Sequence, residues 1–450
     1  MKILSTVLAS FSEALAEGAV MLPNLMFVGL YAQHDGELGY VLPFVLLYAF
    51  QKAGAFLLGG FGRLKNPRLV WLWGNCMAAA GCVAMFFGER SRSLWDVGAV
   101  MIGLGLSGHT AMYRTTRDAI REKGLWHPRA SLLLGYLLLG GSMLLMLLMR
   151  KSRMDWVIGR LLMLILVSTL HCILLSGQSP YRGAPAYEKN TVRPDQFAYA
   201  VIVLLFTVFI RLFKQTASAW LISGVALGLL LALLAAMLLR RKGFRPWSLR
   251  TLWYGAERNF VTVYSLICFL AKGEPGKVTV AYLMIGAGVA LSKAAAAPLR
   301  KRVPEAVFER FCMAAACAAS CLMLVPLTAC YMAGVLLTVL FVSMGNAASL
   351  KAYLVDERFP ATERRLVRAR FYGLGAVVEQ AVMLIALFTA SAFTQGSGTS
   401  ALADYAFQTG SAANGTALTC TLAVCIVVNG LWAWRFAGRG GAATSGGADR

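Results

Sequence analysis

Cys76-Met77-Ala78-Ala79-Ala80 returns later in the chain as Cys312-Met313-Ala314-Ala315-Ala316. The sequence in front of the two copies corresponds as well. Arg63, Lys65 and Arg68 precede the first, and Arg300, Lys301 and Arg302 precede the second. Further upstream, Glu17 and Lys52 lie in apolar runs ahead of the first basic loop. Glu257 and Lys293 stand in the same order ahead of the second. An order that repeats after roughly 240 residues reads as two related halves, each with an ionisable pair inside apolar sequence.

The surroundings of the repeat are lipid-like. The 450 residues are 58% hydrophobic and only 14% charged, against about 25% charged in a soluble chain. Apolar runs of about 20 residues match the thickness of a bilayer core. Within lipid the backbone must satisfy its own hydrogen bonds, so such runs form helices. A β-barrel would alternate polar and apolar residues, whereas Leu229 to Leu239 is apolar at every position. The expected fold class is therefore an all-α polytopic membrane protein.

Fourteen spans are predicted, near residues 7–31, 39–60, 69–88, 96–113, 130–149, 156–176, 197–213, 217–239, 256–272, 278–297, 308–326, 328–348, 371–393 and 417–438. They group as six, two and six. The domains follow: a six-helix bundle over 1–176, a linker with two inserted helices over 177–255, a second bundle over 256–438, and a Gly/Ala/Ser-rich tail over 439–450. The polar stretch Ser179-Pro180-Tyr181-Arg182-Gly183-Ala184-Pro185 is the expected link after the first bundle.

The net charge of +22 does not point to nucleic acid. Most basic residues fall in alternate short loops, as the positive-inside rule requires. The groups Arg63/Lys65/Arg68, Arg114/Arg117/Arg121/Lys123/Arg129 and Lys351/Arg358/Arg364/Arg365/Arg368/Arg370 lie on one side. Arg150, Lys151 and Arg153 dissent, and so do Arg90 and Arg92. This bias places both termini in the cytoplasm of a bacterial inner (plasma) membrane. The start of the chain imitates a signal peptide, with Ala14-Leu15-Ala16 as a cleavage site, but apolar sequence resumes through Leu30, so retention is expected. The ten cysteines lie in or beside apolar spans with no CxxC pair or zinc spacing, and read as packing residues.

The pattern resembles the major facilitator superfamily, whose fold has two six-helix bundles and a basic turn between the second and third helix of each. The corresponding turns here are Gly59-Gly60-Phe61-Gly62-Arg63-Leu64-Lys65 and Pro298-Leu299-Arg300-Lys301-Arg302. Gly62-Arg63 stands where the family motif has Asp-Arg. The two central helices resemble those of the fourteen-helix drug/proton antiporters and the bacterial peptide/proton symporters. The symporter signature Glu-x-x-Glu-Arg in the first helix is replaced by Glu13 and Glu17, four apart and followed by Gly18. The antiporter glycine series is echoed only by Gly135, Gly140 and Gly141. The resemblance implies a secondary transporter, expected to act as a monomer on a small-molecule or lipid substrate.

A charge at bilayer depth costs about 3 kcal/mol or more, so it persists with a partner, water or a function. The candidate substrate or ion-coupling residues are Glu17, Lys52, Glu257, Lys293, Glu379, His171 and Arg160. The Glu–Lys pairs could line a cavity or simply neutralise themselves. Glu379, nine residues into an apolar span with no basic neighbour one turn away, could hold a proton and draw on a proton gradient. Arg160 and His171 lie eleven residues apart on nearly one helix face. No P-loop, GxSxG, HExxH or dinucleotide glycine motif is present, so neither an enzyme nor a cofactor or metal site is expected. The leading expectation is proton-coupled movement of a small anionic or zwitterionic solute. The alternatives are a flippase for lipid or lipid-linked cargo, a membrane-embedded transferase using His34 with Asp35, and a transporter-like sensor.

Overall fold

The computed structural model describes residues 2–34, 40–124, 129–149, 153–212, 246–395 and 414–437, with isolated positions 224, 228 and 231. The second inserted helix (217–239), Asp35 and the C-terminal tail lie outside the described residues. The described chain is helical: α1 (Lys2–Gly18), α2 (Met21–Gln33), α3 (Val41–Gly60), α4 (Pro67–Phe86), α5 (Ser93–Ser107), α6 (His109–Glu122), α7 (Arg129–Met149), α8 (Met154–Leu174) and α9 (Pro194–Leu212). Then follow α10 (Pro246–Ala271), α11 (Pro275–Arg302), α12 (Glu305–Cys321), α13 (Thr328–Leu354), α14 (Arg364–Gln395) and α15 (Gly415–Ala437).

Eight described helices are long and apolar enough to cross a membrane, and α1 with α2 makes a ninth when its 66° bend is counted as one span. Their outward faces are greasy. On α7, Leu133, Leu137, Leu144 and Leu148 are exposed along one stripe, a surface suited to acyl chains rather than water. Of the dissenting basic residues, Arg150 and Lys151 lie outside the described residues, while Arg90 lies over Phe87, Arg92 over Tyr40 and Arg153 over Trp156, at 5.0–5.6 Å.

Several boundaries differ from expectation: the first span, expected over 7–31, breaks between Gly18 and Met21, the span expected from 371 starts at Arg364, and two further differences bear on the site. The fourth span, expected over 96–113, breaks at Gly108, and a new helix runs on to Glu122. Arg114, Arg117 and Arg121 are therefore helical, not loop residues. The ninth span begins at Pro246 rather than at 256 and is 26 residues long. The polar triplet Glu257-Arg258-Asn259 in its interior lowers its hydropathy and hides its true length.

Packing divides the chain into two units. The first is Met1–Leu212 with Asp356–Arg370, and the second is Phe213–Val355 with Phe371–Arg450. In the first, Asn66 caps α4 by accepting from Leu69 N (3.2 Å) and holds the expected linker by donating to the carbonyls of Tyr181 and Ala184, both at 2.9 Å. Lys65 N and Asn66 N donate to Ala186 O, and Glu188 N donates to Arg63 O at 2.9 Å. The stretch 179–193 is thus a strap on the α3–α4 turn. Burial pushes the phenols of Tyr181 and Tyr187 above their ordinary value, so both strap tyrosines stay neutral. Segment 356–370 docks on the same turn. Glu363 accepts from Leu64 N (2.9 Å) and from the Arg193 guanidinium (2.9 and 3.3 Å), and Thr362 donates to Leu64 O (2.6 Å).

Candidate functional site

The first unit gathers its charges on α1, α6 and α7. Glu13 and Glu17 lie one turn apart on α1, and Arg114 and Arg117 lie one turn apart on α6. The two ladders match: Arg114 pairs with Glu17, and Arg117 with Glu13. Each carboxylate also accepts from a phenol, Tyr136 OH to Glu17 Oε1 at 2.9 Å and Tyr113 OH to Glu13 Oε1 at 3.0 Å. Arg117 continues to Asp118, which in turn pairs with Arg365. The side chains remain partly open, at 20% for Arg114, 14% for Glu17 and 24% for Arg117, while Glu13 is 4% exposed. Backbone fit sets this register. Thr110 Oγ1 donates to Ala16 O at 2.6 Å, clipping α6 to α1. A Cβ on Gly135 would meet Glu13 and the Ser10 carbonyl, so the glycine lets α7 bring Tyr136 to Glu17.

Behind these pairs lies a buried polar cluster. His109 Nδ1 bonds Asn75 Oδ1 (2.8 Å), Asn75 donates to Ser168 Oγ (3.3 Å), and Ser12 Oγ meets Ser168 Oγ (3.1 Å) and His171 Nδ1 (2.7 Å). Trp71 packs edge-on against His109, Tyr113 and His171. The cluster ties α1, α4, α6 and α8 together and fixes Glu13 beside Ser12. The structure does not bring His171 and Arg160 into contact. They sit about 16 Å apart along α8, and Arg160 turns to α7, donating to Ser142 Oγ at 3.0 Å. Lys52 is half-buried on α3, over the Tyr48 ring at 5.0 Å.

The second unit is built differently. Glu257 on α10 and Glu379 on α14 are completely buried, and Asn429 on α15 is 1% exposed. Lys293 is exposed on α11, and the side chain set against Glu257 is Asn429. Glu257 and Glu379 lie within electrostatic reach of each other, with Asn429 beside both and Cys425 beside Glu379. All four carboxylate oxygens and both amide atoms of Asn429 lack a hydrogen bond of ordinary geometry among the described residues.

Small residues bring these helices together. A Cβ on Gly255 would strike the Tyr372 carbonyl, and one on Gly375 would strike the Leu252 carbonyl, so α10 and α14 cross backbone to backbone beside the two carboxylates. Asn259 Nδ2 donates to Ala376 O at the same crossing (2.9 Å), and Trp253 Nε1 donates to Asn429 O (2.9 Å), locking α15 against α10.

No family model matches the sequence, and no curated protein matches it significantly. Solved structures do match. A POT family transporter in complex with 5-aminolevulinic acid superposes with a TM-score of 0.54 at 12% identity, covering 97% of this chain and 96% of that one. The nucleoside transporter NupG gives 0.55 at 11%, covering 96% and 98%. The POT family transporter PepTSo gives 0.54 at 14%, covering 97% of each chain. The chain therefore shares the fold of these solved transporters. Its structural neighbours are secondary transporters rather than enzymes.

Within this fold, reading the sequence alone missed Glu13, Arg114, Arg117 and Asn429 as candidate site residues. A signal for the first three was present. Acids four apart on one helix and arginines three apart on another are complementary ladders. Counting each arginine toward a cytoplasmic loop concealed it.

Proposed function

We propose that this chain is a proton-coupled secondary transporter moving a small anionic or zwitterionic solute by alternating access. The observation that carries this reading is the pair of partly open Arg–Glu contacts, Arg114–Glu17 and Arg117–Glu13. A solute carboxylate is chemically equivalent to the Glu17 side chain as a partner for Arg114. Once Glu17 takes up a proton it releases the guanidinium, and the solute carboxylate replaces it. A solute ammonium group would meet the remaining acid. The 5-aminolevulinic acid bound by one structural neighbour carries both groups, which supports the zwitterionic class. The uncompensated Glu379 supports protons as the coupling ion.

The test is uptake into proteoliposomes, comparing anionic, zwitterionic and cationic solutes with and without an inward proton gradient. Zwitterions or anions should be accumulated only with the gradient, with matching alkalinisation outside. Glu17→Gln should bind without accumulating. Gradient-insensitive uptake, or preference for cations, would overturn the reading. Lipid scrambling with no soluble substrate would instead favour lipid translocation. A bacterial inner membrane, cytoplasmic termini and a monomeric state belong to the same proposal.

A further inference from the structure

The second unit holds a feature that the first does not, two buried carboxyl groups set beside an amide and a thiol with no cation paired to them among the described residues. We propose that Glu257, Glu379 and Asn429 form one proton-binding site, in which two carboxyl groups share protons through the Asn429 amide and titrate as a pair. The proposal rests on the transporter reading for its biological use, but its chemistry stands apart from it.

The geometry comes from three helices. Glu257 (α10), Glu379 (α14) and Asn429 (α15) are within 1% of complete burial, and their six polar side-chain atoms make no hydrogen bond of ordinary geometry among the described residues, with the Cys425 thiol the other polar group beside Glu379. Buried polar atoms are nearly always satisfied, so a convergent set of six calls for a shared explanation. Two like charges at this depth, with no cation beside them, are excluded by desolvation and mutual repulsion. The titratable groups facing the pair are Cys317 on α12, near Glu257, and Cys425 on α15, near Glu379. No lysine, arginine or histidine among the described residues pairs with either carboxylate. Arg258, next to Glu257 in the chain, is half-buried and is not set against either carboxylate, so the pair has no cationic partner among the described residues and the proton supplies the counter-charge.

Asn429 suits the role because its amide carries both an acceptor and donors. With one proton aboard, the protonated carboxyl donates to Asn429 Oδ1, and Asn429 Nδ2 donates to the other carboxylate. Moving the proton from Glu379 to Glu257 leaves Glu379 charged and Glu257 neutral, and the amide exchanges its two ends by rotation. A second proton makes the site neutral. Two acids linked in this way have titration steps that belong to the pair rather than to either residue. The approach of α10 and α14 at Gly255 and Gly375 holds them at that separation.

Infrared titration of the full-length protein in nanodiscs, following the C=O stretch of protonated carboxyl groups, tests this without transport. Wild type should lose a two-carboxyl signal as pH rises. Glu257→Gln and Glu379→Gln should each remove half the amplitude and also shift the midpoint of the acid that remains. Asn429→Leu should shift both. Where a Gln variant fails to fold, Glu257→Asp or Glu379→Asp replaces it, and the two bands should still move together. Midpoints that ignore each other, or no C=O band that these variants alter, would overturn the proposal. A band that appears only when sodium is withdrawn would overturn it too, since the site would then be a metal-cation site. Coupled titration together with transport that ignores the proton gradient would retain this site and sink the functional reading instead.

Discussion

The two units handle buried carboxylates in opposite ways. In the first, Glu13 and Glu17 each meet an arginine and a tyrosine. In the second, Glu257 and Glu379 meet an amide and a thiol. The first arrangement gives each acid a cationic partner that a solute could displace. The second gives its acids no cationic partner among the described residues. Two halves that repeat each other in sequence order have thus diverged in electrostatics.

Substitutions should separate the two regimes, and the largest effect is expected at Arg117. Arg117→Met leaves Glu13, 4% exposed, with only Tyr113. Breaking one side of such a pair costs about 3 kcal/mol, read as a large drop in thermal stability in detergent. A drop no larger than that of Glu379→Gln would erase the contrast. Gly375→Ala drives a methyl into the Leu252 carbonyl. Overpacking of this kind costs about 1–3 kcal/mol, and the infrared midpoints of Glu257 and Glu379 should become independent.

Glu379→Gln strands no cation, so its melting temperature should stay at or slightly above wild type, while proton-driven accumulation is lost. Marked destabilisation would mean that Glu379 is paired as the acids of the first unit are. The smallest effect is expected at the outward-facing Lys293. Lys293→Gln should change stability by no more than about 0.5 kcal/mol and leave the Glu257 titration in place. A shifted titration would show that the lysine reaches the carboxylate after all.

What the sequence made legible follows the reach of each signal. Span positions were readable because an apolar run of bilayer length is a local property, and α3, α4, α8 and α12 to α15 lie close to where hydropathy put them. The break at Gly108 was not readable, since glycine is common inside membrane helices and the polar residues beyond it resemble a loop. Glu379 stood out as an acid without a local partner. Its neighbour Glu257 did not, because their proximity depends on two glycines 120 residues apart in the chain. Lys293, matched to Glu257 by the repeat, is exposed on α11. Spacing ranks partners by separation along the chain, whereas helix packing ranks them by which faces meet.

Glu363 bears on the order in which the protein is made. The first unit takes residues 356–370 as part of itself, and Glu363 provides the carboxylate for Leu64 N and Arg193. A ribosome must therefore translate about 150 residues beyond Leu212, as far as Glu363, before that unit can close. Until then Arg193 and Asp118 wait without their late-arriving counterparts, so a fragment ending at residue 212 should be sensitive to protease at the strap. A synthetic peptide spanning 356–370 should protect it.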